Sequence, residues 1–466
     1  MKFGSVCSGI EAASVALQPL GYNAVWFSET ADFPSRLLKE KYPLVSNYGD
    51  MCNLPELIKS EKILSPDVLC GGTPCQAFSL AGWKQGLDDS RGQLTLKFIE
   101  IADAIDDKRK NQGKEPSIIL WENVEGVLKD KTNAFGVFIA GLAGLNKEIS
   151  IKKWSPAGVL YGTTRNIAWR VLDAKYFGLP QQRKRLFVVA TDKKQDPAAI
   201  LFEKSKYSEK LFNYKQLYTN NIKKQRVALS PIGDNQAQGF VKIKNIQKNK
   251  IEVFREYTDC LYTAYGTKWN GNAAAYNGSL YISQNDRVRR FTPMECEKLM
   301  GFPENYTNIP KNRDTNRYQS LGNSWAIPVI SWIGKSIIDN KNTLLEKIKI
   351  QPVLSNEQFE LIQFNDDFIQ VDADNYINTS LTSNNPIKGD LFSVIQISAR
   401  EKFYLSTKGS EGILRRKNER GIKMNDRLEL LFTINGGANA EEYKGKTHNG
   451  TVENKNPKNN QKTPYL

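Results

Sequence analysis

Histidine is almost absent from this chain: His448, in a polar C-terminal stretch, is the only one in 466 residues. This argues against a Ser-His-Asp or Cys-His hydrolase and against a metal enzyme built on imidazole ligands. Cysteine is sparse as well. The six present (Cys7, Cys52, Cys70, Cys75, Cys260, Cys296) form no C-x-x-C pair, which disfavours a zinc site or a disulfide framework. No apolar run approaches the roughly 18 residues of a membrane span. The opening Met-Lys-Phe-Gly-Ser-Val reads as a core strand rather than a signal peptide. The expectation is a cytoplasmic protein with no metal and no membrane contact. Acidic residues are the minority, 50 against 65 basic, for a net charge of +15. That excess points to a polyanion partner, most simply nucleic acid, although a lysine-rich surface from an AT-rich genome gives the same figure.

What is present has a clear order. Over the first 190 residues, short apolar runs alternate with helical periods. KFGSVC (2–7), AVWFS (24–28), DVLCG (67–71), SIILW (117–121) and RLFVVA (185–190) read as strands. EAASVALQPL (11–20), SRLLKEKY (35–42) and GQLTLKFIEIADAI (92–105) read as helices, the last with Leu94, Phe98, Ile101 and Ile105 on one face. Such alternation predicts an α/β fold with a doubly wound, mostly parallel sheet. Residues 1–195 are assigned to this domain. Residues 196–318 lose helical periodicity and read as a smaller, irregular β-rich domain. Residues 319–340 hold an apolar helix returning to the first domain. Residues 341–466 form a C-terminal extension, expected to be partly disordered at its polar end.

Ligands of an open α/β sheet bind beyond the carboxyl ends of its strands. Here those ends carry Ser8-Gly9-Ile10-Glu11, Glu29, Gly49-Asp50, Thr73-Pro74-Cys75-Gln76 and Glu122-Asn123-Val124. CSGIEA lacks the G-x-G-x-x-G that cradles a pyrophosphate, and Glu11 at the next helix start would repel phosphate. Glu29 nevertheless follows Gly9 by 20 residues, the spacing at which a carboxylate meets ribose hydroxyls. A nucleoside without phosphates fits, and S-adenosyl-L-methionine is the common one; an ordinary βαβ turn with a surface glutamate is the plain alternative.

Cys75 admits three readings: a buried structural thiol, a redox thiol, or a nucleophile held behind Pro74. Glu122 with Asn123 favours the third. A thiolate can add to C6 of a pyrimidine while a glutamic acid serves N3, leaving C5 nucleophilic toward a sulfonium methyl.

Taken together, GGTPCQAFS (71–79), WENVEGVL (121–128), QQRKRLFVVA (181–190), RRFTPMECEKLMGFP (289–303) and LGNSWAIPVI (321–330) resemble the ordered motifs of the DNA (cytosine-5) methyltransferase family, of prophage and bacterial type, over about residues 3–338. The resemblance implies a class I S-adenosylmethionine-dependent methyltransferase, Rossmann-like, with a target-recognition domain. It implies Cys75 as nucleophile, Glu122 on N3 and the exocyclic amine, Arg185 on the cytosine O2, and Arg183 holding the catalytic loop and activated ring. It places Gln76, Ser79 and Arg91 on or near the loop that closes over the flipped base. Ser8, Gly9, Glu29, Asp50, Asn323 and Ser324 would line the cofactor pocket, with Pro74 near the methionine end. Glu295 would be structural, organising the smaller domain. The first motif departs from the family pattern: Cys7 replaces a phenylalanine and Glu11 a glycine.

A cytosine inside a duplex must be rotated out before C5 and C6 can be reached, so the partner implied is double-stranded DNA. Lys268, Asn270 and Asn272, in the Gly/Asn/aromatic run 264–281, are the candidate base readers, and KIKNIQKNK (242–250) is either a phosphate contact or a solvated face. FYLSTKGSEGILRRKNERG (403–421) is likewise either a DNA contact or a basic solvated helix. A monomer, with or without a cognate restriction endonuclease, is expected. The rival readings are an RNA (tRNA) cytosine-5 methyltransferase and a catalytically silent DNA-binding regulator.

Overall fold

The computed structural model describes residues 1–73, 93–206, 214–218, 240–266, 276–372 and 375–437. Numbered along the chain, the strands are β1 (Lys2–Val6), β2 (Asn23–Ser28), β3 (Val68–Gly71), β4 (Ile118–Val124), β5 (Ala157–Tyr161), β6 (Arg165–Asp173), β7 (Lys184–Asp192), β8 (Glu203–Lys206), β9 (Lys242–Ile246), β10 (Asn249–Val253), β11 (Tyr281–Gln284), β12 (Arg287–Arg290), β13 (Leu354–Ser355), β14 (Glu360–Phe364), β15 (Phe368–Gln370) and β16 (Asn375–Asn378). The helices used below are α1 (Ala12–Leu17), α2 (Asp32–Lys41), α3 (Gln93–Asn111), α4 (Ala134–Leu142), α5 (Pro293–Met300), α6 (Asp314–Asn323), α7 (Ile327–Asn340), α8 (Thr407–Glu419) and α9 (Asp426–Asn435). Among the described residues no helix is long and apolar enough to cross a membrane.

The chain divides into two compact units. The larger takes residues 1–226, 255–270 and 291–399; the smaller takes 227–254, 271–290 and 400–466. The units divide the chain elsewhere than at 195/196, 318/319 and 340/341. Residues 291–318 and 341–399 belong with the sheet expected to end at 195, and residues 400–437 join the smaller unit.

The larger unit is built on a nine-stranded sheet in the order β13-β14-β5-β6-β7-β4-β3-β1-β2. Its β4-β3-β1-β2 half is parallel, as strand–helix alternation requires. Beyond β4 every pairing is antiparallel, starting with β7 against β4. The expected RLFVVA strand therefore exists but runs the other way. β5 and β6 were not expected, and residues 360–364 extend the sheet beside β5.

Helices cover both faces. On one, α3 and α4 pack an aromatic core, with Trp121 stacked on Phe138 at 4.2 Å and Phe135 edge-on to Trp154 at 4.9 Å. On the other, α7 closes against α1, and the Tyr22 hydroxyl donates to Gly334 O at 2.8 Å. Gly4 in β1 lies under the Trp26 ring; a β-carbon there would sit 2.2 Å from it.

The smaller unit is a four-stranded antiparallel sheet, β12-β11-β10-β9, with α8 and α9. Its last chain segment begins more than 100 residues after the end of its sheet at Arg290. Phe432 meets Tyr281 edge-on at 5.7 Å, and Leu405 N donates to Val288 O at 2.9 Å. Arg427 forks onto both oxygens of the buried Glu252, at 2.9 and 2.8 Å.

Candidate active site

Strand register builds the site. Val6 pairs with both Ser28 of β2 and Gly71 of β3, and Gly71 pairs with Trp121 of β4. The next residue on each strand therefore falls in one row along the carboxyl edge: Glu29, Cys7, Gly72 and Glu122. The antiparallel β7 brings Arg185 opposite Val124 at the same edge. A cavity of about 670 Å³ opens over this row. Its walls include Ser8, Gly9, Glu29, Thr73, Glu122, Arg183, Arg185, Asn323 and Ser324, so six of the expected site residues fall into one pocket with Glu122 and Arg185.

At one end, the turn after β1 takes the left-handed conformation at Cys7 (φ 50), Gly9 (φ 55) and Glu11 (φ 57). Two of the three are not glycine, an uncommon and strained arrangement of the sort found at ligand sites. Gly9 N donates to Glu29 Oε2 at 2.8 Å and Ala31 N to Oε1 at 2.7 Å. Glu29 is thus fixed at the end of β2 while keeping acceptor capacity. Glu11 does not project as a repelling charge. It is fully buried, caps α1 by accepting from Ser14 N at 2.9 Å, and leaves Oε1 without a partner. Burial, opposed by hydrogen bonds from Ser14 and Ser5, pushes its pKa up to about 7. Asp50 is exposed, caps the turn Met51–Asn53 through Cys52 N at 2.9 Å, and is not among the cavity walls.

At the other end stands Glu122, only 8% exposed. Arg185 Nε approaches its Oε1 at 3.1 Å. Burial raises its pKa above the ordinary carboxyl value; Arg185, Arg183 and the Trp325 indole oppose that rise without cancelling it. Thr73, the last described residue before Pro74 and Cys75, is tied down from several sides. Asn123 Nδ2 donates to its carbonyl at 2.9 Å, Trp121 Nε1 to its hydroxyl at 3.0 Å, and Thr95 Oγ1 lies 3.1 Å away. The strand that leads into Cys75 is therefore anchored beside Glu122. Pro74, Cys75, Gln76, Ser79, Arg91, Lys268, Asn270 and Asn272 lie outside the described residues.

Arg183 was expected to hold the catalytic loop, which lies outside the described residues. It is 2% exposed and spends its donors on the protein: Nη2 on the carbonyls of Gly322 (3.1 Å) and Ser324, and Nη1 on Cys260 Sγ (3.0 Å) and Leu261 O (3.4 Å). It ties β7 to the Gly322–Ser324 turn. Glu295 caps α5 within the larger unit, accepting from Thr292 N at 2.6 Å and Gln396 N at 2.7 Å. These two bonds fix the start of α5 and the segment at Gln396 to one carboxylate.

Trp325 was missed by motif reading. Its Nε1 and Glu122 Oε2 converge on Gly72, at 3.1 and 3.3 Å from where a β-carbon would stand. A β-carbon at 72 would press on both side chains. The signal was legible in principle: an indole directly after the Asn323-Ser324 pair, where a donor-bearing ring must face something polar.

A profile of the C-5 cytosine-specific DNA methylases matches residues 1–339. The chain belongs to that family. Among its relatives, a protein of Escherichia phage P1 named DNA N-6-adenine-methyltransferase is 34% identical over 464 residues, covering 72% of this chain. The chain spans 61% of that protein's length. Type II methyltransferase M.DsaV of Dactylococcopsis salina is 26% identical over 79% of this chain and 97% of its own length. Type II methyltransferase M1.ScrFI of Lactococcus lactis subsp. cremoris is 32% identical over 65% and 68%. The family match ends at 339, so β13–β16, α8 and α9 lie outside it.

Proposed function

We propose that this protein is a site-specific DNA (cytosine-5) methyltransferase that uses S-adenosyl-L-methionine. The observation that carries the reading is the single row Glu29–Cys7–Gly72–Glu122 beneath one cavity of about 670 Å³, with Glu29 at one end and the buried Glu122–Arg185 pair at the other. The cavity fits the methyl donor: Glu29 for the ribose hydroxyls, the backbone of Ser8 and Gly9 at the strained turn, and Asn323 and Ser324 on the far wall. Asp50 serves only if the adenine reaches beyond these walls. Bound there, S-adenosylmethionine supplies an electrophilic methyl group.

The chain's residues then do the rest. Cys75, two residues beyond the anchored Thr73, adds its sulfur to C6 of a cytosine flipped out of the duplex. The C5=C6 electron pair is released to C5 as Glu122 gives N3 a proton or hydrogen bond. A carboxyl group with a raised pKa suits that task near neutral pH. Arg185 holds Glu122 and, in this reading, donates to O2. Arg183 serves at one remove, fixing the Gly322–Ser324 wall. After C5 has taken the methyl group, loss of the C5 proton and of the Cys75 sulfur restores the ring.

Adenine N6, the target in the phage P1 relative's name, is a different problem. Its amine attacks directly and needs neither a covalent thiol nor a proton donor at a ring nitrogen, so Cys75 and the Glu122–Arg185 pair favour cytosine. The test is base-resolution mapping of 5-methylcytosine and N6-methyladenine in a methylation-free host expressing the chain. One short sequence carrying 5-methylcytosine throughout is the expected result. N6-methyladenine alone, or an unmethylated genome with methylated tRNA, would overturn it.

A further inference from the structure

The smaller unit holds a disproportionate share of the charge. Residues 240–254, 276–290 and 400–437 carry 16 Lys and Arg against 7 Asp and Glu, a net +9 of the chain's +15 in 68 of its 466 residues. More than half of this set, and most of its basic residues, comes from 400–437, beyond the family match.

The cover of the sheet is conditional on that segment. Gly278 (φ 74) sits against Phe254 and Leu428, Phe432 packs on Tyr281, and Arg427 neutralises the buried Glu252. Strand β9 is different: Lys242, Ile243, Lys244 and Asn245 are all exposed, so neither face of this edge strand is covered. It turns into β10 through Gln247 (φ 46) and Lys248 (φ 66), a tight two-residue hairpin of the left-handed kind. A two-stranded ribbon of this shape fits a DNA major groove. The turn between α8 and α9 adjoins it, with Asn425 Nδ2 donating to Phe240 O at 2.9 Å. Exposed Arg420 and Lys423 lie in the turn just before Asn425, and exposed Lys242 and Lys244 on the strand just after Phe240. The helix dipole accounts for Arg416 and Lys417 in the last turn of α8.

We infer that the β9–β10 ribbon and the α8–α9 turn form one continuous surface for the phosphate backbone of duplex DNA, so that the segment after residue 400 is part of target binding. This rests on the reading of the protein as a DNA methyltransferase.

The experiment uses the full chain with Arg420→Gln and Lys423→Gln together, both exposed positions. Affinity for a duplex carrying the mapped target is measured from 50 to 300 mM salt, with S-adenosylmethionine binding by calorimetry as the check on folding. Losing two phosphate contacts lowers the slope of log affinity against log salt by about 2 and weakens binding by roughly ten- to a hundredfold at 0.1 M salt. Methyl-donor affinity stays as in the unaltered chain. Unchanged DNA affinity and slope, beside an unaltered chain that binds and methylates duplex, would overturn this inference alone. An unaltered chain that leaves duplex unmethylated and unbound would overturn it together with the proposed function.

Discussion

The two compact units of this protein were written into the sequence in different ways. In the larger, the site comes from the ends of adjacent strands, each announced by its own apolar run and followed at once by its functional residue. In the smaller, the sheet of 242–290 is covered by helices that follow residue 400, and no local pattern announces that pairing. Chemistry placed at strand ends can be read locally. A surface assembled across a long sequence gap cannot, because it depends on which distant face happens to be apolar and complementary.

Breaking the larger unit's chemistry should give the largest effects. Cys75→Ser is expected to lower methyl transfer by roughly three orders of magnitude or more while leaving duplex binding largely intact, measured by radiolabel transfer and by fluorescence anisotropy. Retained turnover would remove the covalent mechanism. Glu122→Gln should cost about a hundred- to ten-thousandfold in kcat and abolish the alkaline limb of the pH profile, since the group that must hold a proton is gone.

Breaking the smaller unit should act on stability and leave the cofactor site alone. Leu428→Ala is expected to cost about 2–5 kcal/mol, read as faster amide exchange in β10 and β11, with methyl-donor affinity unchanged. Equal protection in both proteins would separate the C-terminal helices from the sheet.

Two finer probes sharpen the picture of the cofactor end. Glu11 holds a proton more tightly folded than unfolded, so ionising it costs stability: the cost is absent below its unfolded value and grows as pH rises toward about 7. Glu11→Gln should therefore remove about 3 kcal/mol of pH-dependent destabilisation between pH 5 and 8, checked by urea unfolding at both. Trp325→Phe keeps the ring and drops its N–H. With the indole gone, Glu122 should hold its proton to higher pH, moving the alkaline limb of kcat upward, with kcat itself about tenfold lower. A limb that does not move would make Trp325 a packing residue only.

Much of the larger unit was legible. β1 to β4 and α3 follow their apolar patterns to within a few residues at most ends, although α3 continues to Asn111. β6 was not legible, for a physical reason. Its sequence RNIAWRVLD is buried throughout yet contains Arg165, Asn166 and Arg170. Arg165 is satisfied by Asp103 at 2.8 Å and Asp106 at 2.7 Å, and Arg170 by the carbonyls of Leu201, Ser380 and Thr382. Those partners come from elsewhere in the chain, so a search for apolar runs passes over the strand. Arg183 shows the same dependence on distant partners: its donors go to Gly322, Ser324, Cys260 and Leu261, which no local pattern announces. Cys75 stood out in the sequence because two glycines and a rigid proline precede it.

The most direct measurement is chemical. A duplex containing the mapped target with 5-fluorocytosine at the methylated position is incubated with the protein and S-adenosylmethionine, and the protein–DNA adduct is digested and weighed. Fluorine cannot leave C5 as a proton does, so the sulfur–C6 bond should persist. The expected result is one covalent adduct per chain, located at Cys75. No adduct, or an adduct on another residue, would contradict a mechanism in which Cys75 adds to the ring beside Glu122.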